Sequence, residues 1–339
     1  MKRIYVACVS VLLSAGVGLS GCSAMDQTSS QARDKIVTVL THDSFALSEE
    51  RKAQFEKQTG YTLKTTAPGD AGMVLNQLIL NKDNPTVDVV FGIDNMSAQQ
   101  AVDSGVIAAY QPKVDPRAQL RVGGLTAIDL GDVCLNADTA WFASHGVAVP
   151  QGFDDLVDPR YRNLLVVTNP VTSSPGLAFL AGTIVHAGEQ WPQYWSALFA
   201  NGVKVDDSWS TAFNTDFSAG EGKGAYPLAL SYASSPAYGQ GAFESVLGTC
   251  VRQVEYAGVV TGAKNEAGAR AFVDFLLEDQ TQQEIPQTMY MYPVANVPLP
   301  ADWEKYAQLA PNPIVPDPAT VKAHREAWQK QWTQLFESR

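Results

Sequence analysis

Three short runs of β-branched and apolar residues, each followed by a helical stretch, open the chain after residue 35. This alternation limits the fold more than any other feature. Ile36–Thr41, Tyr61–Thr66 and Val87–Phe91 read as strands. Between them, Leu47–Thr59 reads as an amphipathic helix stopped by Gly60. Ala71–Lys82 reads as a second helix, with Val74, Leu75, Leu78 and Ile79 on one face. A third helix is expected near Ser97–Ser104. Strands separated by helices of this length require right-handed crossovers and a mostly parallel sheet.

The pattern changes near Asp129. Strands are expected at Asp129–Asn136, Leu164–Thr168, Ala225–Tyr232 and Val251–Val260, and helices at Gly176–His186 and Pro192–Asn201. Asn265 is placed to cap a helix over Glu266–Glu278. A last helix, Ala319–Phe336, carries Val321, Trp328, Trp332 and Leu335 at helical spacing, a packing stripe. The chain after residue 21 is longer than one core usually serves. The expectation is two α/β lobes with a ligand cleft between them and the chain crossing more than once. Lobe I takes 36–128 plus about 258–295, and lobe II takes 129–257 plus about 296–339.

The first residues address the compartment. Lys2 and Arg3 precede an apolar run that ends in Leu19, Ser20, Gly21 and Cys22. That pattern fits a signal peptide over residues 1–21, and Leu-Ser-Gly-Cys resembles the bacterial lipobox, whose cysteine is acylated and becomes the mature N-terminus. Residues 22–35 then form a polar tether. An ordinary cleaved leader with an incidental cysteine is the alternative. Loss of the leader moves the formal net charge from -11 to -13, which argues against nucleic-acid partners. Of the remaining cysteines, Cys134 and Cys250 are expected to pair in an oxidising compartment, with two buried thiols as the other reading.

Ligands of open α/β sheets bind beyond the carboxyl ends of the strands. The first strand leads into His42 and Asp43, and the third into Asp94 and Asn95. An aspartate there can receive a cation, although either one can instead cap a helix. Thr172, Ser173 and Ser174 precede Pro175 at a helix entry, which suits an anion as well as plain capping. Trp209, Tyr232, Tyr238 and Tyr290 lie in or beside polar loops, where flat rings can stack on a heterocycle. No Walker loop, nucleophile elbow, dinucleotide fingerprint or zinc-protease motif occurs, and the four histidines show no metal-ligand spacing. No cofactor, metal or catalytic residue is expected.

Six stretches resemble the thiamine-binding periplasmic proteins of ABC importers: Thr41–Phe45, Asp88–Asn95, Thr172–Leu177, Trp209–Phe213, Leu230–Tyr238 and Met291–Val297. The resemblance implies a type II periplasmic binding fold that closes on thiamine or its phosphates and docks on a membrane permease. It implies aromatic ligand contacts at Trp209, Tyr232 and Tyr238, a phosphate contact at Ser173, and a loop at Asp94 and Asn95 that faces the heterocycles. His42 stands where the family pattern has tyrosine, and Tyr290 where it has tryptophan. The expectation is a monomeric, lipid-anchored receptor, not an enzyme. A ferric-ion receptor using Tyr232 and Tyr238 is the rival within the fold. An extracytoplasmic hydrolase using His42 and Asp43 is the rival outside it.

Overall fold

The computed structural model describes residues 35–339. The leader, Cys22 and nearly all of the tether lie outside the described residues. One mixed sheet of nine strands organises the molecule, with helices on its faces: β1 (Ile36–Leu40), β2 (Thr62–Thr66), β3 (Val89–Asp94), β4 (Leu125–Asp138), β5 (Leu165–Thr168), β6 (Lys204–Asp206), β7 (Leu228–Tyr232), β8 (Phe243–Val259) and β9 (Tyr292–Pro293). The strand order is β2-β1-β3-β8-β4-β7-β5-β6, with β9 on β4. Each flank is a small parallel set, β2-β1-β3 on one side and β7-β5-β6 on the other. Both flanks therefore carry the parallel crossovers expected of their alternating sequence.

The two flanks meet at β4 and β8, which pair antiparallel along nearly their whole length. Their register slips between Ala127 and Asp129 and again between Val133 and Leu135, so the ribbon bends where one half gives way to the other. Sequence periodicity marks only parts of these strands, because Leu125–Asp138 and the second half of Phe243–Val259 are buried on both faces, while exposed Glu244 and Gly248 interrupt the first half of β8. The expected Cys134–Cys250 disulfide is present and ties β4 to β8.

Helix starts follow the capping chemistry. Ser48 accepts from the Arg51 amide at the head of α1 (Glu49–Thr59), and Gly60 closes it in the left-handed region. Asp70 caps α2 (Ala71–Leu80). Next come α3 (Ala98–Asp103), α4 (Thr139–His145), α5 (Ser174–Ala187), α6 (Trp191–Ala200) and α7 (Ser235–Tyr238). Asn265 caps α8 (Glu266–Leu276) through the Gly268 amide, as expected. The chain then enters a further helix, α9 (Asp279–Met289), with Pro286 inside it.

After α10 (Ala301–Tyr306), the last helix, α11 (Pro318–Glu337), touches both halves. Trp332 packs edge-on against Trp195 of α6 at 5.4 Å. On the other side Arg325 bonds Gln100, and Lys322 lies 2.7 Å from Asp103. The tryptophan stripe is therefore core, as its spacing predicted.

Candidate ligand-binding site

A narrow cleft with little free volume lies between the two halves. Its walls include His42, Ser44, Asp70, Ser174, Pro175, Trp209, Tyr232, Glu255, Met289 and Met291. Most of these residues sit beyond the carboxyl ends of parallel strands: His42 after β1, Asp70 after β2, Ser174 after β5, Trp209 after β6 and Tyr232 at the end of β7. In each flank the first strand is bordered by two later ones, so chain connections leave in opposite directions and open a crevice there.

His42 is buried, with its ring tilted on Phe91 at 5.5 Å. Its Nδ1 accepts the Ser44 amide at 3.2 Å, and its Nε2 lies 3.5 Å from Glu255 Oε2. The ring lies where a side chain at position 92 would be: a Cβ on Gly92, whose φ is +91°, would sit 2.2 Å from His42 Cδ2. Burial pulls the imidazole pKa down. The Glu255 carboxylate, with Asp70 and Asp43 beyond it, outweighs that and leaves it above its ordinary value.

Glu255 stands on β8 directly opposite Asp94 of β3 and Asp129 of β4, so three carboxyl groups lie in a row across adjacent strands. The Asp94 and Asp129 oxygens have no hydrogen-bond donor. Burial raises the Asp94 carboxyl to about 6, against the pull of Ser97 and Arg325. Burial and the adjacent Glu255 hold Asp129 well above the usual carboxylate range. Gln253 links this row to the cleft: its amide faces Glu255 Oε1 at 3.1 Å, and Tyr232 Oη and Ser174 Oγ at 3.4 Å.

The aromatic wall belongs to the second half of the chain. Trp209 donates from Nε1 to Ser231 at 2.9 Å, lies nearly parallel to Phe213, and meets the rings of Tyr232 and Tyr290 at 6.2 Å each. Burial, with Glu255 and Asp70 nearby, raises the Tyr232 phenol well above its ordinary range, so it stays neutral. Tyr290 ends α9 in the left-handed region, and Tyr238, more than one-third exposed, packs edge-on against it at 5.0 Å.

The two halves also touch directly. Asp70 Oδ2 accepts the Trp209 amide at 3.1 Å, and the Gly72 amide donates to the Thr172 carbonyl at 3.0 Å. Ser44 and Ser210 hydroxyls stand 3.5 Å apart. Ser173 is the N-cap of α5, yet its buried hydroxyl makes no capping bond and has no partner. An unpartnered hydroxyl at a helix start is where an anionic group can be held.

Of the residues singled out from sequence, His42, Trp209 and Tyr232 line the cavity, with Ser173 and Tyr290 beside its walls. Thr172 contributes its carbonyl to the contact with Gly72, while its hydroxyl donates to Asp207. Asp94 is fully buried at the end of β3 and is not in the cavity wall. Asn95 clips onto β8 through Arg252 and Val254. Asp43 is exposed and bonds Ser44 rather than His42, so the structure holds no His42–Asp43 catalytic pair. Tyr238 donates to Glu221, whereas the Tyr232 phenol faces Gln253. Among the described residues, no group of three or more His, Cys, Asp or Glu side chains is arranged to hold a metal ion. Ser174, one of the three hydroxyls singled out before Pro175, lines the cavity, whereas sequence reasoning missed Ser44, Asp70, Gln253, Glu255 and the two methionines. The available signal was the polar pair Gln253 and Glu255 inside an otherwise apolar strand.

Residues 84–311 match the family of bacterial extracellular solute-binding proteins. The chain is 32% identical over 313 residues to the thiamine-binding periplasmic protein of Escherichia coli (strain K12), covering 88% of this chain and 92% of that one. A solved periplasmic thiamin-binding protein superposes with a TM-score of 0.79 at 30% identity, covering 88% of this chain and 96% of that one. The ferric-binding protein of Campylobacter jejuni shares the fold, with a TM-score of 0.71 at 14% identity over 88% of this chain and 99% of that one.

Proposed function

Because the chain belongs to the bacterial extracellular solute-binding proteins, and among them to the thiamine-binding periplasmic proteins, we propose that it is a receptor for thiamine or its phosphates. The observation that carries this reading is the composition of the cleft. A tryptophan-tyrosine wall faces buried carboxyl groups, with an unpartnered serine at the start of α5 to one side. A thiazolium or pyrimidine ring can stack on Trp209 with Tyr232 and Tyr290 around it, each cation–ring contact worth about 0.5–2 kcal/mol. Glu255 and Asp70 supply counter-charge, and Ser173 with the amides after it can hold a phosphate.

The receptor works outside the cytoplasmic membrane, anchored by lipid on Cys22, and delivers its ligand as a monomer to an ABC permease. Its lobes divide at β4 and β8, 36–128 with about 258–295 and 129–257 with about 296–339. In this reading Asp94 acts on the ligand through Glu255, and Asn95 acts by holding β8. Asp43 and Tyr238 lie at the rim. The solute-binding relatives support a reading of binding without turnover.

Calorimetry with thiamine should give a dissociation constant below micromolar, equivalent to more than about 8 kcal/mol. Trp209→Ala should weaken it by a few kcal/mol, the scale of a buried aromatic anchor. Ser173→Ala should weaken thiamine monophosphate more than thiamine. Absence of binding by either compound at millimolar concentration defeats the receptor reading. Equal losses in Ser173→Ala defeat only the phosphate assignment.

A further inference from the structure

His42 faces two opposed demands. Ser44 donates its amide to Nδ1, so the neutral ring carries its proton on Nε2, aimed at Glu255. The Glu255, Asp70 and Asp43 carboxylates favour a second proton instead. Asp43 lies in its own loop, Asp70 stands at the start of α2, and Glu255 sits on β8 backed by Asp94 on β3 and Asp129 on β4. The other walls facing the ring, Phe91 and Gly92, carry no charge. A proton on Nδ1 would expel the Ser44 amide, and Ser44 is the residue whose hydroxyl approaches Ser210 across the cleft.

Glu255 is thus the carboxylate for which an imidazolium and a cationic ligand compete in one cleft. We propose that His42 determines charge specificity in this cleft, occupying Glu255 when protonated and surrendering it to a cationic ligand when neutral. The proposal rests on the receptor reading and goes beyond it, because it predicts which charge form of the ligand is preferred at each pH. A second positive charge cannot enter beside an imidazolium without repulsion, so a thiamine cation expels the His42 proton to solvent as it binds. A ligand that also carries a phosphate offsets the imidazolium and loses less by its presence. The raised imidazole pKa places this competition at and above the ordinary histidine range.

The test is calorimetry of the full chain with thiamine and with thiamine monophosphate between about pH 6.5 and pH 8.5, where histidine charge is adjustable. Each titration is run in two buffers of different ionisation enthalpy, which counts protons released. Wild-type protein should release a fraction of a proton on binding thiamine, and its affinity should rise several-fold with pH, at most about tenfold per unit for one linked proton. Monophosphate affinity should rise less. His42→Gln, which keeps a donor toward Glu255 but cannot titrate, should bind thiamine with a flat profile and no buffer dependence. His42→Tyr should also be flat. Parallel profiles in wild type and His42→Gln overturn the His42 proposal and leave the receptor reading standing. Binding of neither compound by wild type overturns both.

Discussion

At the scale of single residues, the buried carboxyl row carries the largest energetic consequence. Asp94 rises from 3.8 to about 6, so its neutral form is the one the folded state prefers. The folded protein therefore holds this proton more tightly than the unfolded chain, and stability falls as pH rises from about 4 to about 6. At about 1.4 kcal/mol per unit, full ionisation of Asp94 costs about 3 kcal/mol. Asp70 and Asp129 are shifted in the same direction, chiefly by burial. His42, raised by its carboxylate neighbours, contributes stability below its ordinary value that is lost as pH climbs through the raised one. All four act alike, so the urea midpoint should be higher near pH 5 than near pH 7.5. A midpoint that is level or higher at pH 7.5 would contradict the assignment of these groups. None of this was legible in sequence. Asp129 and Glu255 meet only because β4 and β8 pair in one register, and a strand position does not reveal which residue lies opposite.

At the scale of elements, the parallel units were legible and the long ribbon was not. Ile36–Leu40 and the mostly exposed Thr62–Thr66 are short strands with clear ends, and the helix caps at Asp70 and Asn265 follow from residue chemistry. β8 runs 17 residues through Phe243–Val259, twisting past both halves, and polar positions such as Glu244 break its apolar pattern. The cleft was legible at its aromatic residues, which stand at or near the ends of elements: Tyr232 ends β7 and Tyr290 ends α9. It was illegible where Asp70 looked like an ordinary cap. The first turn of α2 meets the segment before α5 at Gly72, where an added Cβ would lie 2.5 Å from the Val171 carbonyl and 2.7 Å from that of Thr172. These are backbone atoms of the opposite half, so only separation of the two elements can make room. Gly72→Ala should therefore weaken thiamine binding by about tenfold or more, roughly 1.4 kcal/mol. Thermal stability should hold or rise, since alanine favours a helix over glycine by about 1 kcal/mol. Unchanged affinity in Gly72→Ala would mean that the halves need not meet there.

At the scale of the whole molecule, the described chain is a receptor-shaped body whose proposed attachment is a separate matter of its first residues. Leu19, Ser20, Gly21 and Cys22 motivate the lipid anchor. Wild-type protein from a bacterial host with lipoprotein processing should partition into detergent and carry acyl chains on Cys22, whereas Cys22→Ala should remain in the aqueous phase. Detergent partitioning by Cys22→Ala would rule the anchor out. The body itself has a mechanical property that follows from its last helix. β4 and β8 run side by side and form one ribbon between the halves, about which they could both swing and twist. α11 is a third tie, set apart from that ribbon and held on one side by Trp195 and on the other by Gln100 and Asp103. A ribbon and an off-axis strut resist torsion together. Any movement of one half against the other has to strain the ribbon and the strut together, so the two faces of the cleft are held in one alignment from two directions.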